Sequence, residues 1–548
     1  VYKRQTVKGL FWGTRSLLQI LYNQQGKLPK GTARDFPKFS SRGFMLDVAR
    51  KFFTLDYLKQ YVKILSFYKM NEFQIHLNDN GFPQFFNNDW KMTYAAFRLE
   101  SERFPGLTAK DGSYTKQEFS NLQRMGMSYG VNVIPEIDIP AHSLAFTHYK
   151  PEIGSKEYGM DHLDLYKDET YHFLDTLFDE YLSGEHPIFI GPDVHIGTDE
   201  YNKKEAEQYR YFTDRYLKYI EKYGKNPRMW GGLKWLPGKT PVKAGGVTVN
   251  AWSYDWIDPE ASLREGYQLI NTCDTYLYIV PGAGYYREFL DHKWIYESWS
   301  PWLMNSKQTL PEGTPGVLGG MFAVWNDMCG NGISEQDVHL RSFPAIQVLA
   351  EKLWKGDNKI VSYESFEALC RIMPEAPGVN LLARIPKEMC LTPLGKVCLL
   401  SGTDTIRTAL QEVGYPYVVS FKIYPDKDTN INGILFEGPH SKVYTNWENT
   451  GRIAFSRDGY TFVFGSYCLP KGKWTDICIS GDYKGTSLYV NGKLQERLEG
   501  RKMKVYCKKN KRMDYMPYQE TLIFPLRWIG NPLNGFKGKI QNVTCVQK

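Results

Sequence analysis

The stretch Val194-His195-Ile196-Gly197-Thr198-Asp199-Glu200 decides how this chain is to be read. A short apolar run ends abruptly in a histidine, a glycine and two adjacent carboxylates, as a buried strand does when it delivers acid/base groups to a cleft. The same carboxylates would also suit the first turn of a following helix, where they meet the positive end of its dipole. Capping and catalysis are both open at this point, and the flanking sequence has to separate them.

Strand candidates alternate with helical patterns on either side. Residues 43–48, Gly-Phe-Met-Leu-Asp-Val, form one strand candidate, and Thr54 then caps a helix with Leu58, Tyr61, Val62, Leu65 and Tyr68 along one face. Further strands are expected at 73–77, 131–137, 194–197, 229–230, 247–252, 267–271 and 320–325, with helices near 115–129, 170–183, 203–223 and 335–354. Eight strands separated by helices predict an α/β fold, the (β/α)8 TIM barrel. A doubly wound sheet would also alternate, but it needs no eighth strand and usually carries a glycine-rich phosphate turn, which is absent.

In such a barrel the residues just past the strand C-termini line the active site. Those positions hold Asp47 with Arg50, His76-Leu77-Asn78-Asp79, Glu136-Ile137-Asp138-Ile139-Pro140-Ala141-His142, Thr198-Asp199-Glu200, Trp230, Trp252, Tyr276 with Tyr278, and Trp325-Asn326-Asp327. A cluster after nearly every strand is difficult to attribute to packing. Asp199 and Glu200 therefore move from capping toward catalysis, while His76 and Asp79 read as structural.

With 548 residues the chain exceeds one usual core, so at least two domains are expected. Aromatic residues make up 15%, with 14 Trp and 38 Tyr, enough for extended stacking surfaces of the kind sugars use. A net charge of +8 is modest for this length, so a nucleic-acid partner has little support, although anionic glycans would be attracted. No apolar run reaches the roughly 18 residues that span a bilayer. The opening Val1-Tyr2-Lys3-Arg4-Gln5 shows neither an initiator Met nor a signal-peptide pattern, so a fragment is expected. Residues 1–40, with a short helical pattern at 16–21 and a polar stretch at 24–34, read as the remnant of a preceding domain.

The barrel is expected over 41–355 and a proline-marked linker over 356–398. From 399 to 548 the period changes to two, with strands at 417–423, 451–455, 460–464, 474–480, 486–490 and 540–546 and a hairpin turn at Asn491-Gly492. That is an all-β sandwich. Its basic segment 501–512 reads as a solvated loop. The nine cysteines show no metal spacing, so neither a disulfide framework nor a metal site is expected, and most of them read as buried thiols.

Arg42-Gly43-Phe44-Met45-Leu46-Asp47, His76-Leu77-Asn78-Asp79, Ile137-Asp138-Ile139-Pro140-Ala141-His142, His195-Ile196-Gly197-Thr198-Asp199-Glu200 and Trp325-Asn326-Asp327 occur in barrel order. Together they resemble the family 20 glycoside hydrolases, the β-N-acetylhexosaminidases, over roughly residues 8–355. The C-terminal segment resembles a laminin-G or concanavalin-like jelly roll, either a structural module or a carbohydrate binder.

The resemblance implies a retaining, substrate-assisted hydrolysis of terminal β-linked GlcNAc or GalNAc, in which the sugar's own acetamido oxygen attacks C1. Glu200 would then be the general acid/base, with a pKa raised by its surroundings. Asp199 would hold the acetamido N–H. Tyr276 or Tyr278 would orient the acetamido oxygen. Trp230, Trp252 and Trp325 would wall the pocket. Arg42 would bind the non-reducing-end hydroxyls, and Asp327 would bind O4 or O6 where the family commonly has Glu. Asp138, His142 and His195 would orient the carboxylate pair. No cofactor is implied. Variants on the same mechanism are a 6-sulfo-GlcNAc-specific enzyme, which the charge and the altered Asp327 would suit, and a lacto-N-biosidase. A lectin-like protein with an inactive barrel is the rival from another class. The resemblance further implies a bacterial, secreted or cell-surface protein acting on glycans, possible targets being sulfated glycans or mucin.

Overall fold

Ser41–Asp47 (β1) is buried along its whole length. It pairs in parallel on both edges, with Glu72–His76 (β2) on one side and Val317–Val324 (β8) on the other. Between them, in strand order, lie Asn132–Ile139 (β3), Asp193–Gly197 (β4), Asn226–Trp230 (β5), Thr248–Ala251 (β6) and Gln268–Asn271 (β7), all parallel. The pairing of β8 with β1, in register from Ser41↔Gly319 to Leu46↔Val324, closes the barrel. Strands covered on both faces need apolar side chains throughout, which is why these read as continuous runs.

The computed structural model describes residues 7–357, 360–507 and 512–547. It comprises two units, one chiefly the residues up to Cys329 with Arg341–Val379, the other chiefly Gly330–Leu340, Asn380–Lys504 and the residues from Tyr515 on.

In the first unit Val7–Asn23 (α1) is longer than the pattern at 16–21 suggests. It belongs to the barrel unit. Trp12 meets Trp354 edge-on at 6.1 Å, Tyr22 meets Phe67 at 6.1 Å, and Gln19 Nε2 donates to the Phe67 carbonyl at 2.7 Å. Leu55–Phe67 (α2) starts at Thr54, whose hydroxyl accepts the Tyr57 N–H. Lys116–Ser128 (α3) starts at a reciprocal cap between Thr115 and Glu118. Asp168–Leu182 (α4), Ala206–Lys222 (α5) and Glu335–Lys355 (α6) complete the expected series of long helices.

Arg42 does not lie where the resemblance implied. It is the second residue of β1, at the opposite end of the strand from the polar clusters, and is 1% exposed. Its guanidinium donates to the carbonyls of Lys69 at 2.8 Å and Phe39 at 2.7 Å, and lies 5.7 Å from the Trp12 ring and 5.1 Å from the Trp354 ring. Burial lowers its pKa to about 10, which leaves it charged at neutral pH. Arg42 is a structural clamp for α1 and α6.

The expected linker divides between the units. Helix Tyr363–Ile372 belongs to the barrel unit, where Phe366 stacks on Tyr296 at 4.7 Å. Strands Met389–Cys390 and Val397–Ser401 already pair with Lys537–Gln547 in the second unit, so the sandwich begins before residue 399.

Among its described residues that second unit has two large antiparallel sheets and a short pairing of Glu412–Val413 with Phe524–Pro525. One contains Tyr417–Pro425, Thr475–Gly481, Gly485–Val490, Lys493–Glu499 and Lys537–Gln547; the other contains Gly433–Glu437, Ser441–Trp447, Arg452–Arg457 and Tyr460–Cys468. Val419 and Phe421 from the first pack with Phe436, Val443 and Phe455 from the second. Asn491 at φ 47° and Gly492 at φ 77° form the two-residue turn between Val490 and Lys493, a geometry that demands positive φ at both positions. The basic segment is not a loop: Lys502–Cys507 and Arg512–Pro517 form a two-stranded ribbon, with 508–511 outside the described residues. Nor are the thiols mostly buried. Of the eight cysteines whose side chains are described, only Cys273, Cys329 and Cys545 are buried. No helix among the described residues is long and apolar enough to cross a membrane.

Removing the Arg42 side chain strands three backbone carbonyls, among them that of Ser40, and opens a gap between two tryptophans. Arg42→Ala should therefore lower unfolding stability by about 3 kcal/mol, a loss readable in urea denaturation. Stability unchanged within error would refute the clamp.

Candidate active site

β4 ends in left-handed backbone, with Gly197 at φ 68°, Thr198 at 81° and Glu200 at 55°. Gly197 has to be glycine, because a Cβ there would stand 1.6 Å from Asp138 Oδ1. Thr198 is β-branched and resists positive φ, so its neighbours must fix it. Its N–H donates to Asp138 Oδ1 at 3.2 Å, its hydroxyl to the Trp230 carbonyl at 3.4 Å, and its carbonyl accepts the Tyr209 hydroxyl from α5. The turn sends the next two side chains apart. Asp199 stays inside with its side chain 11% exposed, whereas that of Glu200 is 52% exposed at the rim.

A buried polar network runs across the ends of β1, β2 and β3. Asp47 accepts the backbone N–H groups of Ala49, Arg50 and Asn326, tying the end of β1 to the end of β8. Arg50 places NH1 2.7 Å from Asp79, 3.2 Å from Asp47 and 3.4 Å from Asp327. Asp79 also receives His76 Nε2 at 2.8 Å and His142 Nδ1 at 2.9 Å, and these cations hold it well below the usual carboxylate range. On its far side His76 meets Glu136, which accepts Trp230 Nε1 at 2.6 Å and Gln74 at 2.8 Å.

His142 connects this network to the pair at the end of β4. Its Nε2 is 3.4 Å from Glu200 Oε2 and 3.7 Å from Asp199 Oδ2. The ion pair with His142 holds Glu200 below its ordinary pKa, against the raised value that the resemblance implied. Burial instead raises Asp199 to about 6. It pushes Asp138 higher still, helped by the charge of Asp199. Asp199 Oδ1 is buried and takes no hydrogen bond among the described residues, while the side chain as a whole keeps 11% of its surface open. His195 accepts the Gly197 N–H at Nδ1, and burial lowers it to about 4, so it is neutral and props the turn.

Trp230, Trp252, Tyr278 and Trp325 pack together with Met45, Ile270, Val280, Met321 and Ala323. Trp230 and Trp325 are 5.7 Å apart and Trp325 and Tyr278 are 5.9 Å apart. Trp252 Nε1 is anchored to the Gly231 carbonyl at 2.8 Å. The structure separates the two candidate tyrosines: Tyr278 faces this cluster and feels the charge of Asp199, whereas Tyr276 stacks on Trp294 at 4.5 Å. Asp327 accepts the Tyr285 hydroxyl at 2.7 Å, which brings in a residue that sequence reading missed. Arg50 stands where Arg42 was expected; its position past the end of β1, where the other polar clusters fall, is the sequence signal for it. Two donor groups, His76–Glu136–Asp138 and Asp138–His142–Asp199, are close enough to suit a metal ion. Most of these atoms already serve one another, and no metal is assigned.

Residues 39–357 match the glycosyl hydrolase family 20 catalytic domain. The chain belongs to glycosyl hydrolase family 20. A beta-hexosaminidase from Akkermansia muciniphila is 28% identical over 315 residues, covering 50% of this chain and 60% of that protein. A lacto-N-biosidase from Bifidobacterium bifidum is 22% identical over 391 residues, covering 66% of this chain and 32% of its own. The chain thus spans about 60% of the length of the Akkermansia relative and 55% of a Porphyromonas gingivalis beta-hexosaminidase. The fold is shared with the crystal structure of a β-N-acetylhexosaminidase from Bacteroides fragilis, with a TM-score of 0.52 at 23% identity over 66% of this chain and 75% of that one. In this family 20 barrel the ordered motifs and the side-chain cluster coincide, apart from Arg42 and Tyr276.

Because the His142 cation holds Glu200 down, His142→Phe should raise the pKa of Glu200. Carboxyl-selective 13C NMR titration of Glu200 reads this directly. A Glu200 titration that does not move would show that His142 is not its electrostatic partner.

Proposed function

We propose that the barrel is a retaining, exo-acting β-N-acetylhexosaminidase that removes terminal β-linked GlcNAc or GalNAc by substrate-assisted catalysis. The observation that carries this reading is the divergence of Asp199 and Glu200. Retaining glycosidases that use a protein nucleophile set two carboxyls about 5–5.5 Å apart across the bond. Here one carboxyl is buried and the other stands at the rim, so they serve different atoms of one sugar.

Asp199, through the part of its carboxylate left open, accepts the acetamido N–H and offsets the positive charge that grows there as the carbonyl oxygen attacks C1. Tyr278 donates to that oxygen. Trp230, Trp252 and Trp325 enclose the acetamido methyl and the sugar face. Glu200 protonates the leaving oxygen and then takes a proton from water; a leaving group seated over its half-exposed side chain removes water and raises its pKa. Arg50, Asp79 and Asp327 offer a polar edge for hydroxyls at the non-reducing end.

That edge favours a neutral sugar over the 6-sulfated one. Arg50 is already met by Asp47, Asp79 and Asp327, and a sulfate would face carboxylates rather than a free cation. The disaccharide-releasing variant rests on the Bifidobacterium relative alone. The presence of both carboxylates argues against an inactive, purely lectin-like barrel.

The test is hydrolysis of 4-nitrophenyl β-GlcNAc, its 6-O-sulfated form and the lacto-N-bioside. The plain sugar should be cleaved fastest, and Glu200→Gln and Asp199→Asn should each lower kcat about 100-fold or more. A faster sulfated or disaccharide substrate would move the specificity; silence on all three would sink the enzyme.

The pH profile follows from Asp199. Only its ionised form can accept the N–H and balance the charge, so protonation removes activity. The reaction also needs Glu200 protonated, and its pKa lies below that of Asp199, so kcat/KM should fall about tenfold per pH unit above about 6 and stay level just below that value. A kcat/KM that still rises above about pH 7 would contradict the assignment.

A further inference from the structure

The aromatic lining of the pocket does not stop at Trp252. Trp256 stacks on Trp252 at 5.4 Å, and Trp235 stacks on Trp256 at 4.9 Å with an interplanar angle of 29°. Trp252 and Trp256 follow β6 and Trp235 follows β5, so the column runs over adjacent loops on one side of the barrel mouth. Its outer end is capped by Lys203, whose Nζ lies 3.1 Å from the centre of the Trp235 ring. Lys203 stands three residues after Glu200 and is exposed. It has no carboxylate within ion-pair distance among the described residues, unlike its neighbour Lys204, which meets Glu157. A second cationic group lies beside it: Lys234 Nζ is 3.5 Å and Lys307 Nζ 4.4 Å from the ring of Tyr254, on the same loop as Trp256.

The position of this column bears on the direction of the substrate. Arg50 and Asp327 stand at the ends of β1 and β8, across the barrel from β4 and β5 in strand order. A sugar whose non-reducing edge meets Arg50 must send its leaving group toward Glu200, and beyond Glu200 lie Lys203 and Trp235.

We propose that Trp235 and Lys203, backed by Lys234 and Lys307, form a subsite for the leaving-group saccharide and select one that bears a sulfate or carboxylate. This rests on the hydrolase reading above. The inner face of Trp235 is taken by Trp256, so its outer face is the one a sugar ring can use. An exposed cation–π contact is worth only about 0.5–1 kcal/mol, so the flexible Lys203 gives up the ring readily. The displaced ammonium then stays beside the saccharide, where an anionic substituent gives it the partner it lacks. Acidic side chains near this rim are Asp255, which is exposed, Glu205, whose carboxylate accepts the hydroxyls of Tyr158 and Tyr166, Glu157, which pairs with Lys204, and the half-exposed Glu200. A sulfate must therefore sit on the Trp235 side, away from Asp255.

The experiment measures kcat/KM for β-GlcNAc carried on azide, on neutral galactose, on 6-sulfogalactose and on glucuronate, with wild type, Lys203→Gln and Trp235→Ala. Azide has no ring to stack, so it reports the pocket alone. Wild type should prefer the anionic leaving groups over galactose about 3- to 10-fold at low salt, and the preference should collapse in 0.5 M salt, roughly as expected for an exposed ion pair. Lys203→Gln should abolish the preference and leave azide within about twofold. Trp235→Ala should lower all three saccharide leaving groups about 10-fold while azide changes little. A preference for 6-sulfogalactose over glucuronate, or the reverse, identifies the anion. Equal cleavage of neutral and anionic leaving groups by wild type overturns the proposal and leaves the hydrolase standing. So does an equal loss on azide in Trp235→Ala, since the column would then only support Trp252.

A second readout is independent of turnover. Tryptophan fluorescence of Glu200→Gln should respond to free 6-sulfogalactose or glucuronate, and Lys203→Gln in the same background should lose the response. If wild type cleaves nothing but this response persists, the subsite stands and the hydrolase reading falls; no response in active protein overturns the subsite.

Discussion

Asp79 is the group on which the rest of the site depends. One buried carboxylate accepts from Arg50 at 2.7 Å, His76 at 2.8 Å, His142 at 2.9 Å and the Asn80 N–H at 2.7 Å. A buried ion without partners costs several kcal/mol, but four donors converging on one anion offset that cost and fix one another's positions. Through Arg50 it sets the edge at β1 and β8. By way of His142 it reaches Glu200, and through His76 and Glu136 it holds the Trp230 indole. The catalytic pair is therefore oriented from behind by a network contributed by β1, β2 and β3.

The barrel was legible in the sequence for a simple physical reason. Strands enclosed on both faces must be apolar, and their polar termini must do something other than pack. All eight strand candidates correspond to barrel strands, and Thr54 and Thr115 begin helices where hydroxyl caps were expected or the helical pattern started. The sandwich was less legible. Met389–Cys390, Thr405–Arg407 and Trp528–Gly530 are two or three residues long, too short for a period of two to emerge. Their assignment comes from partner strands far away in sequence, information that no local pattern carries.

Within the site, pattern located the strand ends but not the side-chain directions. Arg42 and Arg50 bracket the same strand, and a guanidinium is compatible with either end. What separates them is company: Arg42 finds backbone carbonyls and two indoles, and Arg50 finds three carboxylates. Tyr276 and Tyr278 pose the same problem at closer range. A four-residue helix, Asp274–Leu277, turns Tyr276 onto Trp294, and only then does the chain rejoin the sheet at Tyr278 beside β8.

The electrostatics of the pair invert what the resemblance implied. Aromatic surroundings were expected to raise Glu200, yet the raised carboxyl is Asp199, because burial outweighs the pull of His142 at 3.7 Å and the charge of Glu200 adds to it. Glu200 reaches further, to His142, and is held down. An acid that starts ionised is not a contradiction in a site that binds its substrate by excluding water. In the proposed reaction a leaving group that covers the rim desolvates Glu200 further, so its proton affinity increases as the glycosidic oxygen arrives. Asp199 moves the other way: an acetamido N–H offered to the part of its carboxylate left open stabilises the anion and lowers its pKa. In the proposed reaction, binding of one sugar drives the two carboxyls toward the protonation states that the chemistry requires, and the left-handed turn after β4 makes this possible by placing adjacent residues in different surroundings.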